Sequence, residues 1–268
     1  GLAYDNAEIE AAKLKAREAS KAQKEGTYTF PKLDVHQIAD LNKSNVTVTN
    51  DEPKFFKGDT TGRVRLIYDG KNFIKSSKDL QLGHPFGLML DQTNFYAEQG
   101  GQVADSGKIV IDGVAEFRVV DVQSYGGHVV HNGYLVYGNM SEGDEVVCEY
   151  DELRRQPIRN NHTGTHILNH SLREVLGDDV NQKGSLVDHE KLRFDFSHKQ
   201  QVTLPEIKKI EEFSNSYIKQ NCKIYAKDVP LEIAQGIEGV RAVFGETYPN
   251  PVRVVSVGVD VETLLSEP

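Results

Sequence analysis

His162, His166 and His170 fall at i, i+4 and i+8 within the run NNHTGTHILNHSLREVL. On a helix, successive members are offset by about 40°, so the three imidazoles form one slowly drifting stripe. Leu168, Leu172 and Val175 lie roughly opposite and supply a packing face. Two histidines four apart can reach one metal ion, as in the HExxH zinc helices. Here the run reads HTGTH, without a Glu between the histidines. The general base of a metalloprotease is missing, which argues against that class. HxxxH alone is equally the mark of surface or capping histidines. His170 drifts off any shared metal and reads as a polar neighbour.

Three further segments carry chemistry-capable side chains. DQTNFYAEQGGQVADSG at 91–107 gathers Asp91, Thr93, Tyr96, Glu98 and Gln102 around Gly100-Gly101. The glycine pair reads as a turn or bulge between strands; alternatively it lets the backbone approach a ligand, with Gln102 beside it. In QKGSLV at 182–187, Lys183-Gly184-Ser185 reads as a turn leading into a strand, or as a cradle for a phosphate or carbonyl. It is too short for a Walker loop, and GxxxxGK[ST] is absent. Arg193 and Asp195 alternate with Phe194 and Phe196, which gives a strand with one charged and one apolar face. That charged face suits the wall of a site, or the two side chains simply pair with each other.

Elements of three kinds must position these residues. Residues 3–25 combine helix formers and mixed charge with a thin apolar stripe, which predicts a solvated or intersubunit helix. Residues 34–43 predict a short second helix. From about 54 to 150, short alternating runs are punctuated by Asp69-Gly70, Asp112-Gly113, Asn132-Gly133 and Gly143-Asp144. Such steps supply the positive φ of tight hairpins and predict a small antiparallel barrel or sandwich. After 151 the period turns helical. A helix is expected over 160–176, with Asn160 or Asn161 as N-cap and Gly177 as stop. A strand follows at 191–196, and a capping box at Thr203-Leu-Pro-Glu206 opens a helix to about Asn221. A strand near 222–227, a short helix near 230–237 and a strand at 252–259 complete an α+β half.

The chain has 268 residues, which favours two domains. No stretch approaches a membrane span, and no signal-peptide core appears. Gly1 in place of Met suggests an excised piece. Cys148 and Cys222 alone exclude a disulfide framework or a four-cysteine zinc site, and they fit a reducing compartment. The net charge of −9 comes from residues 101–150 and 201–268, while 151–200 is neutral, so long-range steering toward nucleic acid is not expected. Arg154, Arg155 and Arg159 are the candidates for a local basic patch.

In combination, DQTNFYAEQGGQ, NNHTGTHILNHSLR, NQKGSLV, KLRFDFSH and RAVFGETYPNPVRVVSVG resemble the editing region of alanyl-tRNA synthetase, in its eukaryotic cytoplasmic form. The likeness runs from about residue 28 to the end. Residues 1–25 resemble the linking helix after that family's tRNA-recognition domain. The resemblance implies a helical linker over 1–50, a β-barrel over 51–152, and an α+β editing core over 153–268. That core is of the threonyl/alanyl-tRNA synthetase second-domain type. The implied activity is hydrolysis of tRNA(Ala) mischarged with serine or glycine, with the tRNA acceptor end as partner, no membrane, and the cytoplasm as location. Oligomerisation is not expected. The alternative is a non-catalytic tRNA- or protein-binding fragment of the same synthetase.

Residue by residue, the resemblance assigns His162 and His166 as two of four zinc ligands. Thr165 matches the sensor of the serine hydroxyl. Gln182 and Gln102 match catalytic-site positions. Gly100 and Gly101 match the glycine-rich motif that faces the site; with them, Arg193 and Asp195, from the charged strand face, are the candidates for substrate binding. The sequence departs from the family in three ways. The CxxxH-type second ligand pair is absent, since Cys222 is followed by Lys-Ile-Tyr-Ala. The ATP- and magnesium-dependent ligase centre of the parent enzyme has no counterpart. HTGTH carries Gly164 where HTATH is common. The resulting expectations are zinc binding that is weak or absent, and deacylation that is lost or badly weakened and returns on C-terminal extension.

Overall fold

A computed structural model describes residues 30–44, 46–242 and 247–266. The helix expected over 3–25 lies outside them. The chain divides into two compact units: Gly1–Gln99 with Val103–Arg155, and Gly100–Gln102 with Gln156–Pro268.

In the first unit, seven strands follow in chain order: β1 (Thr60–Tyr68), β2 (Phe73–Ile74), β3 (Phe86–Leu90), β4 (Gly107–Ile111), β5 (Ala115–Tyr125), β6 (His128–Tyr137) and β7 (Glu145–Tyr150). Six of them run β1-β3-β6-β5-β4-β7 and close when β7 pairs back onto β1, from Thr60↔Cys148 to Arg63↔Glu145. Every pairing is antiparallel, and β2 hangs on the end of β1. This is the expected barrel, and closure removes the exposed edges of those six strands. Its interior is filled by Val64, Ile67, Phe86, Leu88, Phe117, Leu135 and their neighbours. Along β5 the buried positions are Ala115, Phe117, Val119 and then Val122. The alternation slips by one because a bulge falls between Val119 and Asp121.

One strand expectation needs correction, and one strand was not expected. Asn132-Gly133 is not a turn: β6 runs straight through both residues. Gly133 is required by close approach, since a Cβ there would stand 1.8 Å from the Arg118 carbonyl oxygen. The real turn is Gly126-Gly127, with φ of +59° and +89°, the positive pair that a two-residue hairpin demands. Strand β3, FGLML, is buried at every position and so shows no alternation by which sequence would announce it.

Helix α1 (Val35–Lys43) is capped by Asp34, within the span expected, which accepts from the His36 and Gln37 amides while the Gln37 side chain accepts from the Asp34 amide. Its Leu41 joins Leu33, Tyr68, Met89 and Val130 in a second small cluster.

Helix α2 (Glu152–Leu176) begins eight residues before the expected start. Asp151 supplies the cap by accepting from the Arg154 amide at 3.0 Å, so Asn160 and Asn161 are interior. Asn161 instead donates to the Asp188 carbonyl at 2.7 Å. Gly177, at φ +95°, ends the helix as expected and donates to Arg173 O at 2.8 Å. The basic patch fails at its centre. Arg155 is buried, paired with Asp105, donating to the Asn94 carbonyl and lying over the Tyr150 ring. Arg154 donates to the Ala104 carbonyl at 2.7 Å.

In the second unit, β8 (Asn181–Val187) and β9 (Leu192–Ser197) form a hairpin with a bulge between Gln182 and Gly184. Lys183-Gly184-Ser185 is therefore strand and not a turn. Helix α3 (Leu204–Gln220) opens on the Thr203–Glu206 capping box. Leu168, Leu172 and Val175 of α2 gather with Val180, Phe194, Phe196 and Ile210, so the face opposite the histidines is the packing face. Finally β10 (Ile224–Val229), α4 (Leu231–Gln235), β11 (Val252–Val257) and α5 (Val261–Ser266) build a small α+β cluster around Val229, Ala234, Val254 and Val261.

Candidate functional site

One turn of α2 places the His162 and His166 rings in a stack, with centroids 5.4 Å apart and planes 26° from parallel. His162 is half-buried and His166 more exposed. Surrounding protein disfavours the imidazolium form of both and lowers both pKa values; the charge of His166 adds to the effect at His162. Both rings are thus held toward the neutral form that binds metals. His170 has left the stripe, and its Nε2 meets the Tyr217 hydroxyl at 2.9 Å.

Sixty residues away in sequence, Gln102 is only 4% exposed, and its Oε1 lies 2.6 Å from His162 Nδ1. The Gly100-Gly101 pair explains how it arrives. Gly101, at φ +81°, lies so close to β8 that a Cβ would sit 2.3 Å from Ser185 Oγ and 2.6 Å from the Ser185 carbonyl oxygen. The Val187 amide donates to Gly101 O at 2.7 Å, and Gln102 forms a parallel bridge with Val187. The close approach is therefore to the protein's own strand. Gly100 also has positive φ, at +59°, but no neighbour within 4 Å of a built Cβ.

Thr165, between the two histidines in sequence, is 4% exposed, and its hydroxyl donates to the Asn161 carbonyl at 2.9 Å. With its proton committed, that oxygen can only accept, so any partner must bring a donor. Gly164 stands where a Cβ would meet Leu192 Cδ2 at 3.3 Å. Gln182 is half-buried at the β8 bulge. Arg193 and Asp195 are exposed and pair with each other, at 3.0 Å from Nη2 and 3.2 Å from Nε to the same carboxylate oxygen.

The other polar residues of the 91–107 segment belong to the first unit. Asp91 accepts from the Arg63 and Gln92 amides, and Thr93 Oγ1 meets His131 Nε2 at 2.7 Å. The Tyr96 amide donates to Asp105, the partner of Arg155. Sequence reasoning missed Ser185 and Val187 as the dock for Gly101 and Gln102. No periodicity signals a single parallel bridge.

His162 and His166, adjacent on one helix face and held toward the neutral form, fit two ligands of a zinc ion. Among the described residues no third His, Cys, Asp or Glu joins them. Cys148 is buried in the barrel, where desolvation pushes its thiol up to about 12. Cys222 is exposed beyond α3, with Sγ 3.8 Å from Gln220 Oε1.

Residues 1–154 match the sequence family described as tRNA synthetases class II (A), and the chain belongs to that family. Within it, alanyl-tRNA synthetases are the kin along the full length. The chain is 56% identical to an alanine–tRNA ligase of Candida albicans over 271 residues, covering all of this chain and 28% of that protein. It is 52% identical to the mitochondrial alanine–tRNA ligase of Saccharomyces cerevisiae and 43% to the cytoplasmic enzyme of Caenorhabditis elegans. In both cases all of this chain is matched, over 27% and 29% of the relative. The chain therefore spans less than a third of the length of these relatives.

Proposed function

We propose that this chain carries an editing activity of an alanyl-tRNA synthetase: hydrolysis of the ester that joins serine or glycine to the acceptor end of tRNA(Ala). The observation that carries the reading is the grouping, within one unit, of two neutral imidazoles, a buried glutamine against one of them, and a buried threonine hydroxyl on the same helix turn.

An aminoacyl ester is already activated, so a strong protein nucleophile is unnecessary. His162 and His166 are the residues that would hold zinc. When bound, the ion supplies Lewis acidity and a fixed point for the ester. Thr165 supplies discrimination. Its acceptor-only oxygen matches a donating serine hydroxyl, whereas alanine offers no donor and leaves that oxygen unpaired. Glycine would be read by size, not by this contact. ATP and magnesium belong to the ligase reaction of the longer parent protein. The two free cysteines and the likeness to cytoplasmic relatives support a cytoplasmic location. No helix among the described residues is long and apolar enough to cross a membrane.

The test compares Ser-tRNA(Ala) with Ala-tRNA(Ala) as substrates, with zinc supplied, for this chain and for a chain extended to the relatives' length. Selective seryl deacylation, lost on His162→Ala with His166→Ala in a folded protein, supports the reading. Deacylation indifferent to both histidines in the extended chain overturns it and favours a binding module.

A further inference from the structure

We propose that Gln102 is a positioning residue that fixes the tautomer of His162, holding the proton on Nδ1 and leaving the Nε2 lone pair for a metal ion. The inference rests on the reading of His162 as a ligand but adds what that reading lacks, a reason for a specific nitrogen to be the ligand atom.

The argument starts from the donor inventory. An amide carbonyl has lone pairs and no proton. The Gln102 Oε1 to His162 Nδ1 distance of 2.6 Å is therefore a hydrogen bond only if Nδ1 carries the proton. A neutral imidazole has one N–H, so Nε2 must then be bare. Free imidazole does not impose this choice, and a metal-binding histidine is commonly fixed by a partner on its other nitrogen. The partner is delivered from another part of the chain, and three features serve that delivery. Gly101 has no Cβ where one would strike Ser185. Its carbonyl is tied to the Val187 amide. Gln102 itself is bridged to Val187 and is 4% exposed, so its amide does not trade Nδ1 for water.

The experiment needs no tRNA. Long-range 1H–15N spectra of the imidazoles of the metal-free chain, at a pH well above their titration, report which nitrogen of His162 is protonated. The expected result is the Nδ1–H form for His162. Gln102→Met, which keeps the volume and removes the acceptor, should release His162 into a mixture of tautomers. The backbone amide spectrum of the β8–β9 hairpin serves as the control for fold. Gln102→Glu, which keeps an acceptor, should retain the Nδ1–H form. Titration with Zn2+ alone should be roughly 10–100-fold weaker for Gln102→Met than for the parent. If Gln102→Met disturbs the hairpin, Gln102→Leu, which also removes the acceptor, should give the same tautomer mixture. A His162 found protonated on Nε2, or a tautomer unmoved by Gln102→Met, overturns the proposal. Failure of seryl deacylation with the tautomer and zinc results intact sinks the substrate reading and leaves Gln102 as a positioning residue.

Discussion

Gly101→Ala isolates the contact on which the site depends, and Gly100→Ala is its built-in control. Both glycines have positive φ, so either alanine incurs the left-handed cost of about 1–2 kcal/mol. At Gly100 nothing stands within 4 Å of the added methyl, and the cost stops there. At Gly101 the methyl meets Ser185 Oγ at 2.3 Å and the Ser185 carbonyl oxygen at 2.6 Å. Rotating the serine relieves the first clash, but nothing short of moving backbone relieves the second. The segment must therefore retreat from β8 and surrender the Val187 amide hydrogen bond of 2.7 Å, a loss of about 1 kcal/mol. Gly101→Ala should thus be less stable than Gly100→Ala by about 1 kcal/mol or more. Urea unfolding measures the difference, and hydrogen exchange at the Val187 amide locates it: faster in Gly101→Ala, close to the parent in Gly100→Ala. Equal stabilities and equal Val187 protection in the two variants would refute the reasoning, because the close approach would then carry no energy.

Four other expectations are open to measurement. Asp105→Ala leaves Arg155 buried without its partner and should cost about 3–5 kcal/mol in chemical denaturation of the barrel unit. Gly164→Ala should stabilise by up to about 1 kcal/mol, since the helix interior gains an Ala and only the mobile end of Leu192 must yield; a loss of stability would show that Leu192 is fixed. Thr165→Val should leave the fold standing yet narrow the gap between seryl- and alanyl-ester hydrolysis, read as a ratio of kcat/KM values. His131 is fully buried, with its pKa lowered from 6.5 to about 4, so the unfolded chain binds its proton first as pH falls. Stability is full above about 6.5 and declines down to about 4, by roughly 3 kcal/mol from this group. A His131→Gln variant should show a flatter loss over that window in urea midpoints taken at successive pH values.

What the sequence discloses here is local. The Thr203–Glu206 box, the stop at Gly177 and the positive-φ glycines at 70, 113 and 143 are each written in three or four adjacent residues, and each forms as read. The helical stripe also reads correctly, down to His170 leaving it, because a fixed angle per residue carries over eight positions. Signals fail where a residue type serves two purposes. Asn132-Gly133 has the composition of a turn, but its glycine answers to Arg118 from the neighbouring strand. Asn160 and Asn161 are good caps in a place where Asp151 had already capped the helix. Arg155 looks like a surface cation until the fold brings Asp105 and Tyr150 around it. The pairing of Gln102 with His162 spans sixty positions and has no period at all, so only the resemblance to a known family associates the two residues in advance of the fold.

The three residues Gly100–Gln102 belong with the helical unit although the chain on both sides of them belongs to the barrel. No single cut in the gene therefore yields a complete helical unit. A truncation that starts at Gln156 inherits both histidines but leaves their glutamine behind on the discarded piece. Modular exchange of this site between proteins must carry barrel and helix together, or else reinvent the missing tripeptide.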